Sequence, residues 1–247
     1  YTPRLIILDS WQRCSTLHVN PSRRYAPLAV AREAQLEHVR NENDVLIRAA
    51  AQMTAHLNAF LADSGYVIVL SDAHGCLLEV VGDLTILRRL ARIDFVPGGN
   101  WSEAAAGTNA IGTALADGHV VQLMAAEHYC DGWQDLTCTA APIRHPFTNE
   151  IVGVLDVTGD YRLIRPFLTN SLATAALEIQ QRMRTLLITG SREERQRSLE
   201  NNAVRLPDSI SEPGMNTTNE DRYDKREIQD VHQGNGRQSQ FDLQHYY

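Results

Sequence analysis

Residues 66–81 have the sequence YVIVLSDAHGCLLEVV, and this stretch decides the class of fold. Two apolar runs, residues 66–70 and 76–81, are rich in β-branched and aliphatic side chains, as strands are. Residues 71–75 between them include Ser, Asp and Gly, which favour turns. The stretch therefore predicts two antiparallel strands joined in a hairpin.

The segments on both sides of the hairpin predict helices and further strands. Amphipathic spacing of apolar residues indicates helices, and short apolar runs bounded by turn residues indicate strands. The predicted helices are residues 44–61, 83–91, 104–116 and 167–188, and the predicted strands are residues 119–125, 136–143 and 151–158. Because hairpin-like links join the strands, we expect an α+β fold, a mainly antiparallel sheet flanked by helices.

Composition divides the chain into three parts. Residues 1–43 form an N-terminal helical segment with a polar helical stretch over residues 27–40, and residues 44–189 carry nearly all the strong apolar patterning. Residues 190–247 are rich in Asn, Gln, Ser, Asp and Arg, with scattered apolar residues. Because such a segment buries too little apolar surface to offset its ordering entropy, we expect a disordered tail.

Charge and cysteine content exclude several classes of protein. With 23 Lys and Arg against 30 Asp and Glu, the formal net charge is −7, which argues against direct nucleic-acid binding. No run reaches the ~18 consecutive apolar residues of a membrane helix, and no secretory signal pattern opens the sequence. We therefore expect a cytoplasmic protein with no membrane partner, whose thiols are reduced: Cys14, Cys76, Cys130 and Cys138.

Small and polar residues are combined in GTNAIGT, residues 107–113. Glycines let a helix approach a sheet or a ligand closely, while Thr108, Asn109 and Thr113 supply hydrogen-bond donors and acceptors. The same residues suit tight helix packing and local capping of the backbone. The stretch is a candidate pocket wall, and a purely structural role is the alternative.

Two tryptophans and one aspartate are further candidates for a pocket. Trp101 and Trp133 lie in predicted loops on either side of the central strand. Aromatic walls with a few polar groups suit small organic ligands, although each tryptophan could equally pack over the edge of the core. Asp156 lies among apolar residues in a predicted strand, where it faces either a pocket, the backbone or solvent.

Residues 127–138 hold the most reactive side chains. His128 and Cys130, with Cys138 on the next strand, have donors suited to zinc or iron. Alternatively, a cysteine acting with His128 and Glu127 would be a redox thiol. A third interpretation is a polar loop beside a buried Cys138.

Several elements, taken in order, carry a resemblance to a known family. They are SWQRC (10–14) with the following Asn20-Pro21, GNWSE (99–103), GTNAIGTAL (107–115), EHYC (127–130), TCTAAPI (137–143) and IVGVLDVTG (151–159). Together they resemble the GAF sensory domain of the acetoin- and dihydroxyacetone-type (AcoR/DhaR-like), sigma-54-dependent transcriptional activators. The resemblance covers roughly residues 5–184.

The resemblance implies a GAF-like sensory module that binds a small organic effector and is not an enzyme, with no catalytic residue, metal or cofactor. The pocket would lie between the sheet and residues 107–115, closed by residues 127–135. Helices 44–61 and 167–188 would transmit the signal and pack against their copies in a homodimer. The expected ligand-binding residues are Trp101, Thr108, Asn109, Thr113, Glu127, His128, Trp133, Cys138 and Asp156.

Members of this family continue into an ATPase domain and a helix-turn-helix. This sequence has no GxxxxGK[ST] phosphate loop and no helix-turn-helix-like tract after Thr189. We therefore expect it to reach the transcription machinery only through domains missing here. GAF-fold methionine sulfoxide reductases show that cysteine chemistry occurs on this fold. A thiol- or metal-dependent enzyme or redox sensor using Cys130, Cys138 and His128 is thus the alternative.

Overall fold

A five-stranded antiparallel sheet forms the centre of the fold. The computed structural model describes residues 4–203, with side chains for residues 4–193. The strands are ordered β2-β1-β5-β4-β3, and each neighbouring pair is antiparallel. Their bounds are β1 (Tyr66–Asp72), β2 (Leu77–Gly82), β3 (Val121–Met124), β4 (Leu136–Arg144) and β5 (Ile151–Asp160). The hairpin and the antiparallel α+β class predicted from the sequence are confirmed.

Helices cover both faces of this sheet. In the described part of the chain they are α1 (Leu5–Thr16), α2 (Glu33–Glu42), α3 (Asp44–Phe60), α4 (Leu84–Leu90), α5 (Glu103–Ala106), α6 (Ala110–Asp117) and α7 (Leu168–Ala203). Helices α3 and α7 pack on one face, and α1, α4, α5 and α6 pack on the other. None of the helices within these residues is long and apolar enough to cross a bilayer.

Alternation along the strands explains why the sheet has two cores. In β1, Val67 and Val69 join the core under α1 and α6, whereas Ile68 and Leu70 join the core under α3 and α7. Successive side chains of a strand point to opposite faces, so a strand that is apolar throughout must be covered on both sides. Every residue of β1 is buried, as this packing requires.

The N-terminal segment belongs to the same compact unit as the sheet. Ile7, Ser10 and Cys14 of α1 are completely buried. The helix predicted over residues 27–40 begins later, at Glu33, because residues 26–30 bond instead to the loop before α5: Ala29 donates its N–H to the carbonyl of Gly98 over 2.8 Å.

The single helix predicted over residues 104–116 is wrong. The structure divides it into α5 and α6 at Gly107, whose φ is +66°. A Cβ atom at this position would lie 2.9 Å from Cys130 Sγ, so the chain turns where only glycine fits. Asn109 then caps α6, because its side-chain oxygen accepts a hydrogen bond from Gly112 N over 3.0 Å.

The boundary predicted at residue 190 does not interrupt the last helix. Helix α7 continues to Ala203, so residues 190–203 are helical. The rest of the predicted tail, residues 204–247, lies outside the described residues.

Candidate functional site

An enclosed cavity lies between the sheet and the start of α6. Residues 125–135, which we call the lid, close it with two short 3-10 turns. The space open to the centre of a water-sized sphere is about 10 Å³, which is room for about one water molecule. The lining residues come from the sheet (Leu136, Cys138, Asp156, Thr158), the start of α6 (Asn109, Ala110, Ile111), the lid (His128, Trp133) and the loop before α5 (Phe95, Trp101).

His128 is a buried, neutral histidine. Its Nδ1 lies 3.0 Å from the carbonyl oxygen of Ala125, and because a carbonyl only accepts, Nδ1 carries the hydrogen. Nε2 is then an acceptor, and no group in residues 4–193 bonds to it. Burial, which disfavours the charged form, lowers the pKa of His128 to about 4. The lid therefore brings one neutral acceptor to the cavity.

Trp133 is completely buried, and its indole N–H also has no hydrogen-bond partner in residues 4–193. Its ring packs against Trp101, with the ring centres 5.0 Å apart and the planes inclined by 60°. Phe95 extends the cluster, with its ring centre 4.5 Å from that of Trp101 in an edge-to-face arrangement. The aromatic wall expected from Trp101 and Trp133 is present, and it carries one unused donor.

Asp156 lies on the sheet side of the cavity. In the register of β5 it stands between Val69 of β1 and Ala140 of β4, so it is surrounded by strands and fully buried. Thr158 donates its hydroxyl hydrogen to Oδ2 over 2.6 Å, while Oδ1 has no partner in residues 4–193. Burial raises the pKa of Asp156 to about 7. The alternative that Asp156 faces solvent is wrong.

These three residues share an unusual property. In residues 4–193, four buried side-chain nitrogen or oxygen atoms have no hydrogen-bond partner, and three of them belong to His128, Trp133 and Asp156; the fourth is Thr54 Oγ1 on α3. A buried polar group without a partner costs about 1–3 kcal/mol. Three such groups line this one cavity, which makes it the candidate ligand site of the fold.

Asn109 and Cys138 also line the cavity, but each has another role. The Asn109 amide donates to the carbonyl oxygens of Trp101 and Gly107 over 2.9 and 2.8 Å, in addition to its capping bond, so its polar atoms already have partners. Cys138 is buried, and burial holds the pKa of its thiol well above the usual range. Cys138 therefore offers the cavity a neutral sulfur surface.

Thr108 and Thr113 lie away from this cavity, in a second buried polar cluster around Ser10. The Ser10 hydroxyl oxygen is 2.5 Å from Glu103 Oε1, 2.7 Å from Thr108 Oγ1 and 3.2 Å from Thr113 Oγ1. Arg13 donates two hydrogen bonds to the same Glu103 carboxylate, at 2.7 and 2.8 Å. The cluster fastens α1 onto α5 and α6, which gives the two threonines a structural role.

Glu127 points toward the N-terminal segment. Arg4 donates to its two carboxylate oxygens at 3.1 and 2.8 Å, and Met124 N donates to Oε2 at 2.9 Å. The carbonyl oxygen of Glu127 accepts a hydrogen bond from Trp11 Nε1 at 2.9 Å. Glu127 thus holds the lid against α1, and its side chain is not part of the cavity lining.

The arrangement of the cysteines does not favour metal or thiol chemistry. Within residues 4–193, no group of three or more His, Cys, Asp and Glu side chains is placed to hold a metal ion. Cys130 is not among the cavity residues; its thiol is 3.4 Å from the carbonyl oxygen of Ala106. Burial raises the pKa of Cys130 to about 12, so the nucleophilic thiolate is scarce at neutral pH.

Some site residues carry no distinguishing signal in the sequence. Phe95, Ile111, Leu136 and Thr158 line the cavity, but each has the appearance of an ordinary apolar or strand residue in the sequence. Ser10 and Arg13 lie in the SWQRC element, which carries part of the resemblance to the family. That element was the signal for the second cluster, since Ser and Arg among apolar helix residues require buried partners.

Comparison with known proteins identifies the family. Residues 4–182 match the family described as MimR, N-terminal domain. The chain is 35% identical over 186 residues to an uncharacterised 47.3 kDa protein in the thcA 5' region of Rhodococcus erythropolis. The matched residues are 75% of this chain and 42% of that protein. It is also 35% identical over 183 residues to MimR, the propane 2-monooxygenase operon transcriptional activator of Mycolicibacterium smegmatis. The matched residues are 73% of this chain and 30% of MimR. The chain thus spans less than half the length of either relative.

A solved structure supports the same assignment at the level of the fold. The chain is similar to the N-terminal part of Escherichia coli DhaR in its complex with DhaL, with a TM-score of 0.72 and 17% identity over 80% of this chain and 67% of that chain. That protein has a GAF-like fold. The chain therefore belongs to the MimR N-terminal domain family and carries a GAF-like sensory domain of the AcoR/DhaR-type transcriptional activators.

Proposed function

We propose that this chain is a cytoplasmic ligand-sensing module, which binds a small organic effector in the cavity beside His128 and transmits the signal through its terminal helices. The activators among its relatives support the regulatory part. The observation that carries effector binding is the set of three buried polar groups in one cavity that have no partner among residues 4–193. ATP hydrolysis and DNA contacts would belong to domains outside this chain.

The three groups suit a compact molecule with a hydroxyl or carbonyl group. His128 Nε2 accepts a hydrogen bond, and Trp133 Nε1 donates one, so a hydroxyl group that donates to the first and accepts from the second satisfies both. The rings of Trp101 and Phe95 and the side chain of Ile111 supply apolar surface for the carbon atoms of such a ligand. A mainly apolar wall with few polar groups is the usual character of a small-molecule site.

The size of the cavity links binding to movement. About 10 Å³ of open space is less than any organic effector needs, so binding must displace α6 or the lid. A ligand that fits only the displaced arrangement shifts the population toward it. The lid begins at Ala125, whose φ of +49° is in the left-handed region and costs about 1–2 kcal/mol for a residue with a Cβ atom. A displacement that returned Ala125 to a negative φ would release that strain.

Helix α1 is the most direct route from the lid to the rest of the protein. Trp11 and Arg4 bind Glu127, the residue next to His128. The backbone N–H groups of Asp131 and Gly132 donate to carbonyl oxygens of residues 21 and 23, at 2.8 and 3.0 Å. A displaced lid would therefore pull on the N-terminal segment, and we include α1 among the transmitting helices.

Helices α3 and α7 would transmit the signal from the other face of the sheet and form a homodimer contact. They pack against each other on the far face of the sheet, and β5 links them to the cavity because Asp156 lines one face and Leu155 the other. Phe60 and Leu177 are exposed apolar side chains on these helices, available for a homodimer of the whole chain. Sedimentation velocity tests this part: a dimer supports it, and a monomer at high micromolar concentration contradicts it.

Indole NMR signals test effector binding and transmission together. The chain has three tryptophans: the Trp133 N–H lacks a partner within residues 4–193, Trp11 bonds to Glu127, and Trp101 bonds to the carbonyl of Asp94. With signals assigned by Trp→Phe variants, small alcohols, ketones and diols are titrated into the full chain. We expect an effector to shift Trp133 through a new hydrogen bond and Trp11 through movement of α1. A panel that moves neither signal would contradict the proposal.

A further inference from the structure

The Asp156 carboxyl group is isolated from positive charge. It is fully buried, Oδ2 accepts the Thr158 hydroxyl hydrogen bond at 2.6 Å, and Oδ1 has no partner in residues 4–193. Within residues 4–193, no arginine, lysine or helix N-terminus is paired with it. If this carboxyl group were ionised, the Thr158 hydroxyl would be the one group within residues 4–193 that stabilises its charge by a hydrogen bond.

In the described part of the chain, residues 4–193, the elements packed around Asp156 supply no cation. From the lid the titratable neighbour is His128, which burial keeps neutral, and from β4 it is Cys138, a neutral thiol. The adjacent residue of β1 is Val69, and α6 contributes Asn109 and Ile111, which do not titrate. Because a buried charge without a partner costs several kcal/mol, the neutral acid is the favoured form.

We propose that Asp156 is the specificity-determining residue of this cavity. It meets the ligand as a neutral carboxylic acid and donates its proton in a hydrogen bond to a ligand oxygen. The cavity then admits neutral ligands and excludes carboxylates. The inference rests on the effector binding proposed above and adds the charge class of the ligand. A ligand carboxylate would bring a buried negative charge into a cavity where residues 4–193 place no cation to receive it. Alcohols, ketones, diols and amides bring none.

A pH dependence follows from this arrangement. Burial raises the pKa of Asp156 to about 7, so the acid form is present below that pH and is lost above it. A ligand that binds only the acid form then loses affinity by about tenfold for each pH unit above the pKa. The neutral, isosteric variant Asp156→Asn keeps a donor beside the cavity, and its affinity is expected to be independent of pH.

The first test needs no ligand. The side-chain carboxyl carbon of Asp156 is followed by NMR in the full chain as the pH is raised, with Asp156→Asn used to assign the signal. We expect a midpoint near 7, against about 4 for an ordinary aspartate. Thr158→Val removes the hydroxyl that favours the charged form and is expected to raise the midpoint further. A wild-type midpoint near 4, or a decrease in Thr158→Val, would overturn the proposal.

The second test uses shape-matched pairs that differ in charge: lactamide with lactate, and hydroxyacetone with glycolate. We expect the neutral members to shift the Trp133 indole signal, the carboxylates to leave it unchanged, and the pH dependence to vanish in Asp156→Asn. If the carboxylates bind as tightly as the neutral members, the specificity proposal is wrong and effector binding stands. The other negative outcome is that Asp156 titrates near 7 but no compound of either pair or of the wider panel shifts the Trp133 indole signal. In that case the proposal of effector binding is wrong, and the ligand part of this inference is wrong with it.

Discussion

The indole nitrogen of Trp11 donates a hydrogen bond to the backbone carbonyl oxygen of Glu127 over 2.9 Å. Glu127 immediately precedes His128, so this bond joins helix α1 to the lid. The Arg4 guanidinium adds an ion pair with the Glu127 carboxylate, at 2.8 Å. If the lid moves, these contacts would carry the movement to the N-terminal helix without passing through the sheet.

Replacing Trp11 by Phe should loosen the lid. The change removes the donor and leaves the Glu127 carbonyl oxygen without this bond, at a cost of about 1 kcal/mol in the free energy of unfolding. Hydrogen exchange should become faster in residues 125–135 and stay unchanged in β1. Gln12→Ala, at the exposed neighbouring position of α1, is the matched control and should alter neither. Unchanged exchange in Trp11→Phe would show that α1 does not hold the lid.

Alanine substitutions at Gly107 and Gly190, the second as the matched control, test whether Gly107 sets the break between α5 and α6. Gly107→Ala should destabilise the protein by about 1–3 kcal/mol, because its φ is +66° and the new Cβ would lie 2.9 Å from Cys130 Sγ. Gly190 lies within α7 with nothing within 4 Å of a new Cβ, so Gly190→Ala should be neutral or stabilising by up to about 1 kcal/mol. Urea unfolding measures both. Equal effects would mean that Gly107 does not set the break.

Cys130 and Cys138 should react slowly in the folded protein. Both thiols are buried, and burial raises their pKa values, for Cys130 to about 12. Iodoacetamide at neutral pH, followed by peptide mass spectrometry, should label them slowly in the native chain and rapidly in urea. Native labelling of either residue at the rate of a free thiol would favour the thiol-dependent alternative.

Asp156 should make the protein less stable as the pH rises. Its folded-state pKa of about 7 lies above the ordinary aspartate value of 3.8, so the folded protein keeps a proton that the unfolded chain has released. Between about pH 4 and 7 the free energy of unfolding therefore falls with rising pH, and above 7 this loss is complete. The free energy of unfolding of Asp156→Asn, relative to that of the wild type, should therefore rise by up to about 4 kcal/mol across that pH range. This is an upper bound from a pKa difference of ~3 units.

Urea unfolding of both proteins at about pH 4 and about pH 8 measures this gain. His128 has the opposite effect, because its pKa is lowered to about 4: its contribution to stability grows as the pH rises from about 4 to 6.5. The difference between Asp156→Asn and the wild type removes the His128 contribution, which is common to both. A difference that does not change with pH would contradict a raised pKa for Asp156.

The sequence was sufficient for the sheet because its signals are local. The apolar run of residues 66–70, the turn after it and the run of residues 151–158 each satisfy strand rules within a few residues. The helix predicted over residues 104–116 failed for a tertiary reason. Gly107 looks like a weak helix residue in the sequence, and only the approach of Cys130 from the lid shows why it takes a positive φ.

The site was predictable in part, for a related reason. His128, Trp133 and Asp156 were identified as candidates, but their lack of partners is a property of the packed structure. Thr108 and Thr113 carry the same donor groups as pocket residues, and only the position of Ser10, roughly a hundred residues earlier, assigns them to another cluster. Residue type indicated polar groups in the core, and packing decided which of them had partners.

The central claim is that the cavity binds a small organic effector through His128. The most direct measurement is a thermal-shift screen of alcohols, ketones and diols on the wild type and on His128→Asn. The asparagine amide keeps a donor near Ala125 and removes the acceptor Nε2. We expect at least one compound to stabilise the wild type, by about 2.7 kcal/mol at 100 times its Kd, and to have little effect on a folded His128→Asn variant. No stabilisation by any compound, or equal stabilisation of both proteins, would contradict the account.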